Sequence, residues 1–332
     1  MGPEKASRVM GSCVPGCGSR RREEAGISLP ARDIIMNRTH ISIMNRTDTN
    51  DLATRALLWY VDTLPWHRGK GALALNIRDA FHLHKEGDQE VSRLGLRWIL
   101  NPGDYGEGHL FWAGSYDIWE RYHIARLLTK GAVIFDVGTN FGLYSLTLAD
   151  KLGPAATIHC FEPNPVTYSR LVRNISANHM RNLHPHQLGL GDWQGTAKIV
   201  VVNDTNSGAT SLAAGEGALI TTLDRFCEEN IIQRLDFLKV DIEGFESRFL
   251  KGGRASLERF KPMMQIELNP PILLRAGSSV DEVLGILRSL GYEFYLAKRK
   301  RLVALKELPT QPDYLLNCFC VHPKNQPAGL LG

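Results

Sequence analysis

The sequence predicts an α/β fold whose central sheet is mostly parallel and carries helices on both faces. Two observations predict it. From about residue 132 onward, apolar strand-like runs alternate with helix-like runs, and acidic residues recur where the strands end. The stretch from Ala132 to Pro165 contains one strand–helix–strand unit, with Asp136 ending its first strand and Glu162 its second. Ligands of such sheets bind beyond the carboxyl ends of the strands, so these acids mark the expected site.

The turn after the first strand predicts a nucleoside-containing ligand. Gly138 and Gly142 allow the backbone to approach a ligand closely, and Asn140 tolerates the left-handed angles that such a turn needs. Glu162 follows about 20 residues later, where doubly wound folds commonly place an acid against a ribose. The dinucleotide fingerprint requires glycines at relative positions one, three and six, but its second and third positions here hold Asn140 and Leu143. NAD is therefore disfavoured.

The remaining pattern, D-x-G-x-N-x-G, favours S-adenosylmethionine as the ligand. It opens with Asp136 at the strand end. An acidic site suits this cofactor because its sulfonium and ammonium groups are positively charged. The cofactor-binding residues predicted from this unit are Asp136, Gly138, Asn140, Gly142 and Glu162.

A second acidic turn lies in the run from Leu235 to Gly253, where an apolar strand delivers Asp241 and Glu243 at its end. With the motifs AVIFDVGTNFG and FEPNP, the run DIEGFE resembles the FkbM family of S-adenosylmethionine-dependent methyltransferases. Three separated motifs agree in order and spacing, and the resemblance covers approximately residues 108–323.

The resemblance implies a Rossmann-like class I methyltransferase sheet of seven strands, with the last strand antiparallel. It implies S-adenosylmethionine as the cofactor and O-methylation of a hydroxyl on a small metabolite or sugar. By the same resemblance, Gly138 and its neighbours cradle the methionine part and Glu162 takes the ribose hydroxyls. The resemblance also implies that Asp192 lies near the adenine.

Transfer of a methyl group to a hydroxyl requires that the hydroxyl proton leave, which calls for a base or a metal. Asp241 and Glu243 are the predicted catalytic residues, as base or as groups that orient the acceptor. If Asp241, Glu267 and Asn269 meet at neighbouring strand ends, their oxygens are alternatively ligands for magnesium. We prefer the hypothesis that a carboxylate, and not a metal ion, assists the loss of the proton, so no metal ligand is predicted.

Two other functions are compatible with the pattern. One is an N-methyltransferase acting on a peptide, protein or nucleic acid. The tetrad typical of nucleic-acid amino methylation is approached only by the run from Asn269 to Ile272, which lacks the aromatic residue. The other is a protein that binds S-adenosylmethionine without catalysis, which the intact acids at the strand ends argue against.

Composition restricts the expected partners. A net charge of +4 over 332 residues gives no strong case for nucleic-acid binding. No apolar run approaches the length of about 18 residues that a membrane span needs, and no signal peptide is evident. We therefore expect a cytoplasmic protein that acts on a small hydroxylated substrate without a membrane or nucleic-acid partner.

The chain is expected to consist of four parts. Residues 1–50 lack apolar periodicity and predict a disordered extension. Residues 51–107 predict a small cap of helices and a strand, which would either cover the ligand or form a homodimer face. Residues 108–323 form the methyltransferase domain, and residues 324–332 form a tail. The basic run from Lys298 to Arg301 is predicted to lie in a hairpin between late strands.

Overall fold

The computed structural model describes residues 52–65, 67, 69–201, 210–299 and 301–327. The predicted extension over residues 1–50 and most of the predicted tail lie outside the described residues. The elements that precede the main sheet are α1 (Leu52–Thr63), α2 (Lys70–Ala80), β1 (Gln89–Arg93), β2 (Leu96–Leu100), α3 (Tyr105–Ala113) and α4 (Ile118–Leu127).

Strands and helices then alternate along the chain. The later strands are β3 (Val133–Val137), β4 (Thr157–Phe161), β5 (Leu183–His186), β6 (Gly189–Gly191), β7 (Gly195–Val201), β8 (Thr210–Ala214), β9 (Ala218–Thr222), β10 (Phe237–Val240), β11 (Met263–Leu268), β12 (Glu293–Lys298), β13 (Arg301–Ala304) and β14 (Leu316–Val321). The later helices are α5 (Leu143–Leu152), α6 (Pro165–Ala177), α7 (Leu223–Glu229), α8 (Glu246–Gly252), α9 (Arg254–Phe260), α10 (Pro270–Arg275) and α11 (Val280–Ser289), and a short 3-10 helix spans Pro323–Asn325.

The main sheet confirms the predicted fold class. Its order is β13-β12-β14-β11-β10-β3-β4-β5, and the five strands from β11 to β5 are parallel to one another. β14 is antiparallel to β11, as expected for the last strand. Successive residues face opposite sides: Ile134 packs into one hydrophobic core, and Phe135 packs into the other. Helices therefore cover both faces of the sheet.

The main sheet differs from the expectation in having eight strands rather than seven. The additional strand, β13, pairs antiparallel with β12, and Lys298 lies opposite Arg301 at the closed end of this pair. The basic run therefore lies in a hairpin, as predicted. The hairpin widens the sheet by one strand at the edge that is far from β3.

A second sheet of order β6-β9-β7-β8 was not predicted. β5 ends at His186, and the next strand, Gly189–Gly191, pairs with β9 instead of continuing in the main sheet. A close approach from α8 accompanies this change of sheet. A Cβ added to Gly252 would lie 1.9 Å from the carbonyl oxygen of Gly191, so only glycine permits the contact.

The residues predicted to form a cap pack beside the turn that follows β3. Asn174 of α6 connects the two regions, since its Oδ1 accepts the N–H of Ile99 at 2.8 Å and its Nδ2 donates to the carbonyl of Phe141 at 3.0 Å. Arg170 of the same helix donates to the buried Glu107 of α3 at 2.7 Å. These bonds fix α3 over the carboxyl end of the sheet.

Within the described part of the chain, none of the helices combines the length and the apolar character that crossing a bilayer requires.

Candidate functional site

A cavity of about 540 Å³ opens at the carboxyl ends of β3, β4, β10 and β11. Its volume lies within the range of about 300 to 1,000 Å³ that is usual for small-molecule sites. Each of these strands contributes the residues just after its end, including Gly138, Glu162, Asp241 and Glu267. Helix α3 and the segment after it supply an aromatic wall, formed by Tyr105, His109 and Tyr116.

The backbone N–H groups of the turn after β3 are all bonded within the protein. The N–H groups of Gly138 and Thr139 donate to the carbonyl of Phe161, and that of Asn140 donates to Oε2 of Glu162 at 3.0 Å. The next two N–H groups donate to acceptors inside the turn. A ligand therefore meets the carbonyls, side chains and shape of this turn rather than unpaired N–H groups. Asn140 has a φ of +55°, the left-handed conformation predicted for it.

The two glycines of this turn are required by the protein's own packing. A Cβ on Gly138, whose φ is +81°, would lie 1.8 Å from the carbonyl oxygen of Asp241. A Cβ on Gly142, whose φ is +102°, would lie 2.5 Å from Leu146. Gly142 packs against its own helix and does not line the cavity, so its position does not support the predicted close approach to a ligand. Gly138 borders the cavity and also brings β3 and β10 together.

Replacing Gly138 with alanine is expected to lower the free energy of unfolding by at least about 3 kcal/mol, because the clash is with backbone that cannot rotate away. Gly69→Ala is the matched control. Its φ of +83° and ψ of 2° are left-handed, but a Cβ there meets nothing within 4 Å, so it should cost only the left-handed strain of about 1 to 2 kcal/mol. Urea unfolding of both variants measures the difference in the free energy of unfolding. Equal losses would show that the clash with the Asp241 carbonyl does not add to the cost of alanine at Gly138.

Glu162 lies immediately after β4 and is 6% exposed. Its two oxygens accept the N–H groups of Asn140 and Asn164, each at 3.0 Å. A carboxylate has about four lone-pair positions, so both oxygens can accept further bonds from the cavity. Burial raises the pKa of Glu162 to about 7, and a bound hydroxyl donor or cation would favour its charged form.

Below the cavity floor lies a buried polar layer on one face of the sheet. Asp136, Lys239 and Gln265 are in register on three adjacent parallel strands and therefore share a face. Helix α5 covers them: Ser145 donates to Oδ2 of Asp136 at 2.6 Å, and Gln265 donates to the hydroxyl of Tyr144 at 3.2 Å. The predicted contact of Asp136 with the cofactor is not supported by its position. Its side chain is 1% exposed inside β3 and does not line the cavity.

Lys239 joins this layer to the cavity. Its Nζ donates to Oδ2 of Asp241 at 2.8 Å and lies 4.6 Å from the ring centre of Tyr144. Burial alone would lower the pKa of Lys239, but the carboxylates of Asp241 and Asp136 outweigh burial and raise it. Lys239 is thus a fixed positive charge, and Asp241 is held by it at the cavity wall.

The other predicted catalytic residue, Glu243, also lines the cavity. β10 ends at Val240, so strand alternation does not bring Asp241 and Glu243 to one side. A turn does so instead, with Glu243 at a φ of +53° and Gly244 at +101°. A Cβ on Gly244 would lie 2.8 Å from Ala276, which shows that α10 packs directly on this turn.

Three carboxyl groups therefore meet at this end of the cavity: Asp241, Glu243 and Glu267. Glu267 pairs in register with Asn317 of β14, whose side chain also lines the cavity. Burial, followed by the charges of Asp241 and Glu246, raises the pKa of Glu243 to about 8. Burial and the charges of Asp241 and Glu243 also raise the pKa of Glu267. Glu243 and Glu267 therefore hold a proton more readily than an exposed glutamate does.

Asp192 is not brought to the cavity. Its carboxylate lies 3.9 Å from the guanidinium of Arg248, and the cavity wall nearby is formed by Leu188, Gly189 and Leu190 instead. Because the chain leaves the main sheet at residue 187, Leu188–Leu190 lie against the cavity and Asp192 does not. The predicted contact of Asp192 with adenine is thus not supported by its position.

Lys239, Tyr144 and Asp117 were missed by sequence reasoning. One signal was present: a single lysine inside an apolar strand, two residues before Asp241 and so on the same face. Asp117 and Tyr144 carry no such signal. Tyr144 donates to Oδ2 of Asp117 at 3.0 Å, a contact that depends on how α4 packs on α5.

The magnesium alternative has a weak donor set here. Oδ2 of Asp241 is engaged by Lys239, and the side-chain oxygen of Asn269 caps α10 by accepting from the N–H of Ile272. Across the described residues, no three His, Cys, Asp or Glu side chains are grouped so that they hold a metal ion.

The same cavity fits S-adenosylmethionine. Glu162 offers a buried acceptor for the ribose hydroxyls, and Phe161, Leu188 and Leu190 offer apolar surface for the adenine. The carboxylates beyond Gly138 face the part of the cavity where the cationic sulfonium and ammonium groups would lie.

Comparison with known proteins finds similarity to methyltransferases. The model described as the Methyltransferase FkbM domain matches residues 220–294, which contain β10, β11 and the turn with Asp241 and Glu243. The hexuronic acid methyltransferase AglP of Haloferax volcanii is 30% identical over 153 residues, which are 43% of this chain and 60% of the relative. The 31-O-demethyl-FK506 methyltransferase FkbM of Streptomyces tacrolimicus is 34% identical over 98 residues, which are 29% of this chain and 37% of the relative.

Among solved structures, methyltransferase FkbM from Methylobacillus flagellatus is 18% identical and aligns with a TM-score of 0.38 over 59% of this chain and 44% of that one. The chain thus spans less than two thirds of the length of these relatives. The matched domain contains the second acidic turn, which was one of the three motifs that carried the resemblance. Residues 220–294 thus match the Methyltransferase FkbM domain, and the relatives named above are methyltransferases.

Proposed function

We propose that this protein transfers a methyl group from S-adenosylmethionine to a hydroxyl group of a small molecule. The observation that carries the proposal is the placement of two kinds of acid in one cavity. A buried carboxyl group just after β4, that of Glu162, lines the end where we place the cofactor, and three carboxyl groups line the end where we place the acceptor. The names of two relatives, a hexuronic acid methyltransferase and a 31-O-demethyl-FK506 methyltransferase, support an oxygen-bearing acceptor.

When bound, S-adenosylmethionine supplies a methyl group on a positively charged sulfur, and the methyl–sulfur bond breaks with its electron pair left on the sulfur. Glu162 and the turn from Gly138 to Phe141 hold one end of the cavity in a fixed shape. Alignment of donor and acceptor accounts for most of the rate, because ideal positioning contributes up to about 7 to 11 kcal/mol.

The acceptor hydroxyl must lose its proton as its oxygen forms the new bond to carbon. We assign this proton to Glu243, whose pKa of about 8 places it close to the operating pH. Asp241, fixed by Lys239, orients the acceptor. Glu267 and Asn317 complete the wall and offer a hydrogen-bond acceptor and a hydrogen-bond donor to a second hydroxyl.

Replacing Glu162 with glutamine tests the cofactor end. The variant should keep the fold but weaken S-adenosylmethionine binding by about tenfold to a hundredfold, because a hydrogen bond to a charged group is worth about 1.5 to 3 kcal/mol. Calorimetric titration measures the change. Glu258→Gln, at an exposed carboxylate of α9, is the control and should bind as the parent does. An unchanged affinity in Glu162→Gln would remove the ribose assignment.

A further inference from the structure

Asp117 lines the cavity and immediately precedes α4. It occupies the N-cap position of that helix, where an aspartate side chain usually accepts an N–H group of the first turn. Here the side chain forms no such cap, and the residue has a φ of +49° and a ψ of 42°. This left-handed conformation is uncommon outside glycine, and residues that adopt it are concentrated at functional sites. The placement of Asp117 therefore has a cause other than helix capping.

The carboxylate of Asp117 is held over the start of α5. The hydroxyl of Tyr144 donates to Oδ2 of Asp117 at 3.0 Å and accepts from Nε2 of Gln265 at 3.2 Å. Tyr144 and Gln265 are both buried, so these bonds fix the carboxylate from inside the protein. A carboxylate has about four lone-pair positions, and the bond from Tyr144 uses one of them. Asp117 can therefore also accept from a ligand in the cavity.

These bonds hold Asp117 on the side of the cavity away from Glu162. Gln265 belongs to β11, and β10 and β3 lie between β11 and β4, the strand that Glu162 follows. In the proposed function Glu162 holds the ribose, and Leu188 and Leu190 offer surface for the adenine. The methionine part of the cofactor would then extend from the ribose toward β3 and β10. Asp117 lies on that side.

Asp117 differs in its charge partners from the other acids on this side of the cavity. Oδ2 of Asp241 is bonded to Lys239 at 2.8 Å. Burial raises the pKa of Glu243 and that of Glu267, and the charge of Asp241 adds to both shifts, so their protonated forms are favoured. A cationic group of a ligand therefore has less to gain from these three acids than from a carboxylate that is charged and unpaired.

Within the described residues, no basic group pairs with Asp117 at 4 Å or less. Lys239 is bonded to Asp241, and Arg121, one turn further along α4, donates to a backbone carbonyl at 2.8 Å. Burial raises the pKa of Asp117, and the hydrogen bond from the tyrosine hydroxyl opposes that rise. A bound cation would favour the charged form of the carboxylate further.

We infer that Asp117 binds the ammonium group in the methionine part of S-adenosylmethionine. The inference rests on the proposed function and adds to it a residue that recognises the amino-acid end of the cofactor. An ammonium group has three N–H donors and a positive charge, which suits a carboxylate that is anchored by a neutral partner. The sulfonium has no N–H donor and cannot form such a hydrogen bond.

Three ligands separate the contacts of the cofactor. S-adenosylmethionine carries the ammonium and the sulfonium, S-adenosylhomocysteine carries the ammonium without the sulfonium charge, and methylthioadenosine lacks the amino-acid part. Calorimetric titration of the full chain measures Kd of each ligand for the parent, Asp117→Asn and Asp150→Asn. Asparagine keeps the shape of the side chain and can still accept from the hydroxyl of Tyr144. Asp150 is exposed on α5 outside the cavity lining, so its variant is the control.

Asp117→Asn should weaken binding of S-adenosylmethionine and S-adenosylhomocysteine by at least about tenfold and leave methylthioadenosine within about twofold of the parent. Asp150→Asn should match the parent with all three ligands. Glu162→Gln should give a different pattern: because all three ligands contain the ribose, it should weaken all three.

The other outcomes overturn the inference. A loss for all three ligands in Asp117→Asn would show that the side chain supports the shape of the cavity. A loss for S-adenosylmethionine alone would assign the contact to the sulfonium, and equal affinities in Asp117→Asn and Asp150→Asn would exclude the contact. If the parent binds S-adenosylmethionine in these cases, the proposed function stands. If the parent binds none of the three ligands, the proposed function is wrong and the inference fails with it.

Discussion

Replacing Lys239 with methionine is expected to lower the free energy of unfolding by about 3 to 5 kcal/mol, because it leaves the buried carboxyl group of Asp136 and the partly exposed carboxylate of Asp241 without the positive charge that they share. The lysine side chain is 7% exposed and bonded to Asp241. Asp136 lies in register beside it, 1% exposed, and in the described structure its Oδ1 has no hydrogen-bond partner. Methionine keeps an unbranched stem of similar length and removes the charge. Urea unfolding at neutral pH measures the loss.

Two further variants separate charge from packing. Lys151→Met, at an exposed lysine, should change the stability by no more than about 0.5 kcal/mol. The double variant with Lys239→Met and Asp241→Asn should recover part of the loss, because one of the stranded carboxylates is removed. If Lys239→Met costs less than about 1 kcal/mol, the buried polar layer does not depend on this charge.

Replacing Glu243 with glutamine is expected to reduce kcat by about 100- to 10,000-fold while leaving S-adenosylmethionine binding within about threefold of the parent. Glutamine keeps the shape of the side chain but cannot take a proton. Because the base must be ionised, kcat of the parent should rise as the pH passes through about 8, the pKa to which burial and its acidic neighbours raise Glu243. The residual activity of the variant should lack this rise.

Two further glutamate-to-glutamine variants test whether the base is Glu243 and not another carboxylate. Glu229→Gln, at an exposed carboxylate that pairs with Arg225, is the control and should retain full activity. Activity is measured as S-adenosylhomocysteine release with a hydroxyl-bearing acceptor that the parent methylates. If Glu267→Gln abolishes the pH-dependent step and Glu243→Gln leaves it intact, the base is Glu267 and the assignment to Glu243 is wrong.

The sheet was predictable because its signal is local. Apolar runs broken by helix-length segments indicate parallel strands, and the βαβ unit from Ala132 to Pro165 places Glu162 at a strand end by chain order alone. The acids after β10 and β11 reach the same cavity for the same reason. The hairpin of β12 and β13 was visible as a basic run between two apolar stretches.

Other features depend on packing between distant segments and left no such signal. Asp136 was expected to contact the ligand. However, β3 continues to Val137, and the side chain of Asp136 lies beneath α5, where Ser145 bonds to it. The second sheet forms because the chain turns away after His186, so Asp192 is carried out of the site. The reason for Gly138 was also non-local, since the atom that excludes a Cβ there belongs to Asp241. For Gly142 it was partly so, since Leu171 is distant in sequence and Leu146 is not.

The central claim, that this cavity holds S-adenosylmethionine, is tested most directly by calorimetric titration of the full chain with S-adenosylmethionine, with NAD titrated in parallel. We predict saturable binding of S-adenosylmethionine with one molecule per chain, and no saturable binding of NAD. Absence of binding of S-adenosylmethionine by folded protein, or saturable binding of NAD in its place, would contradict the claim.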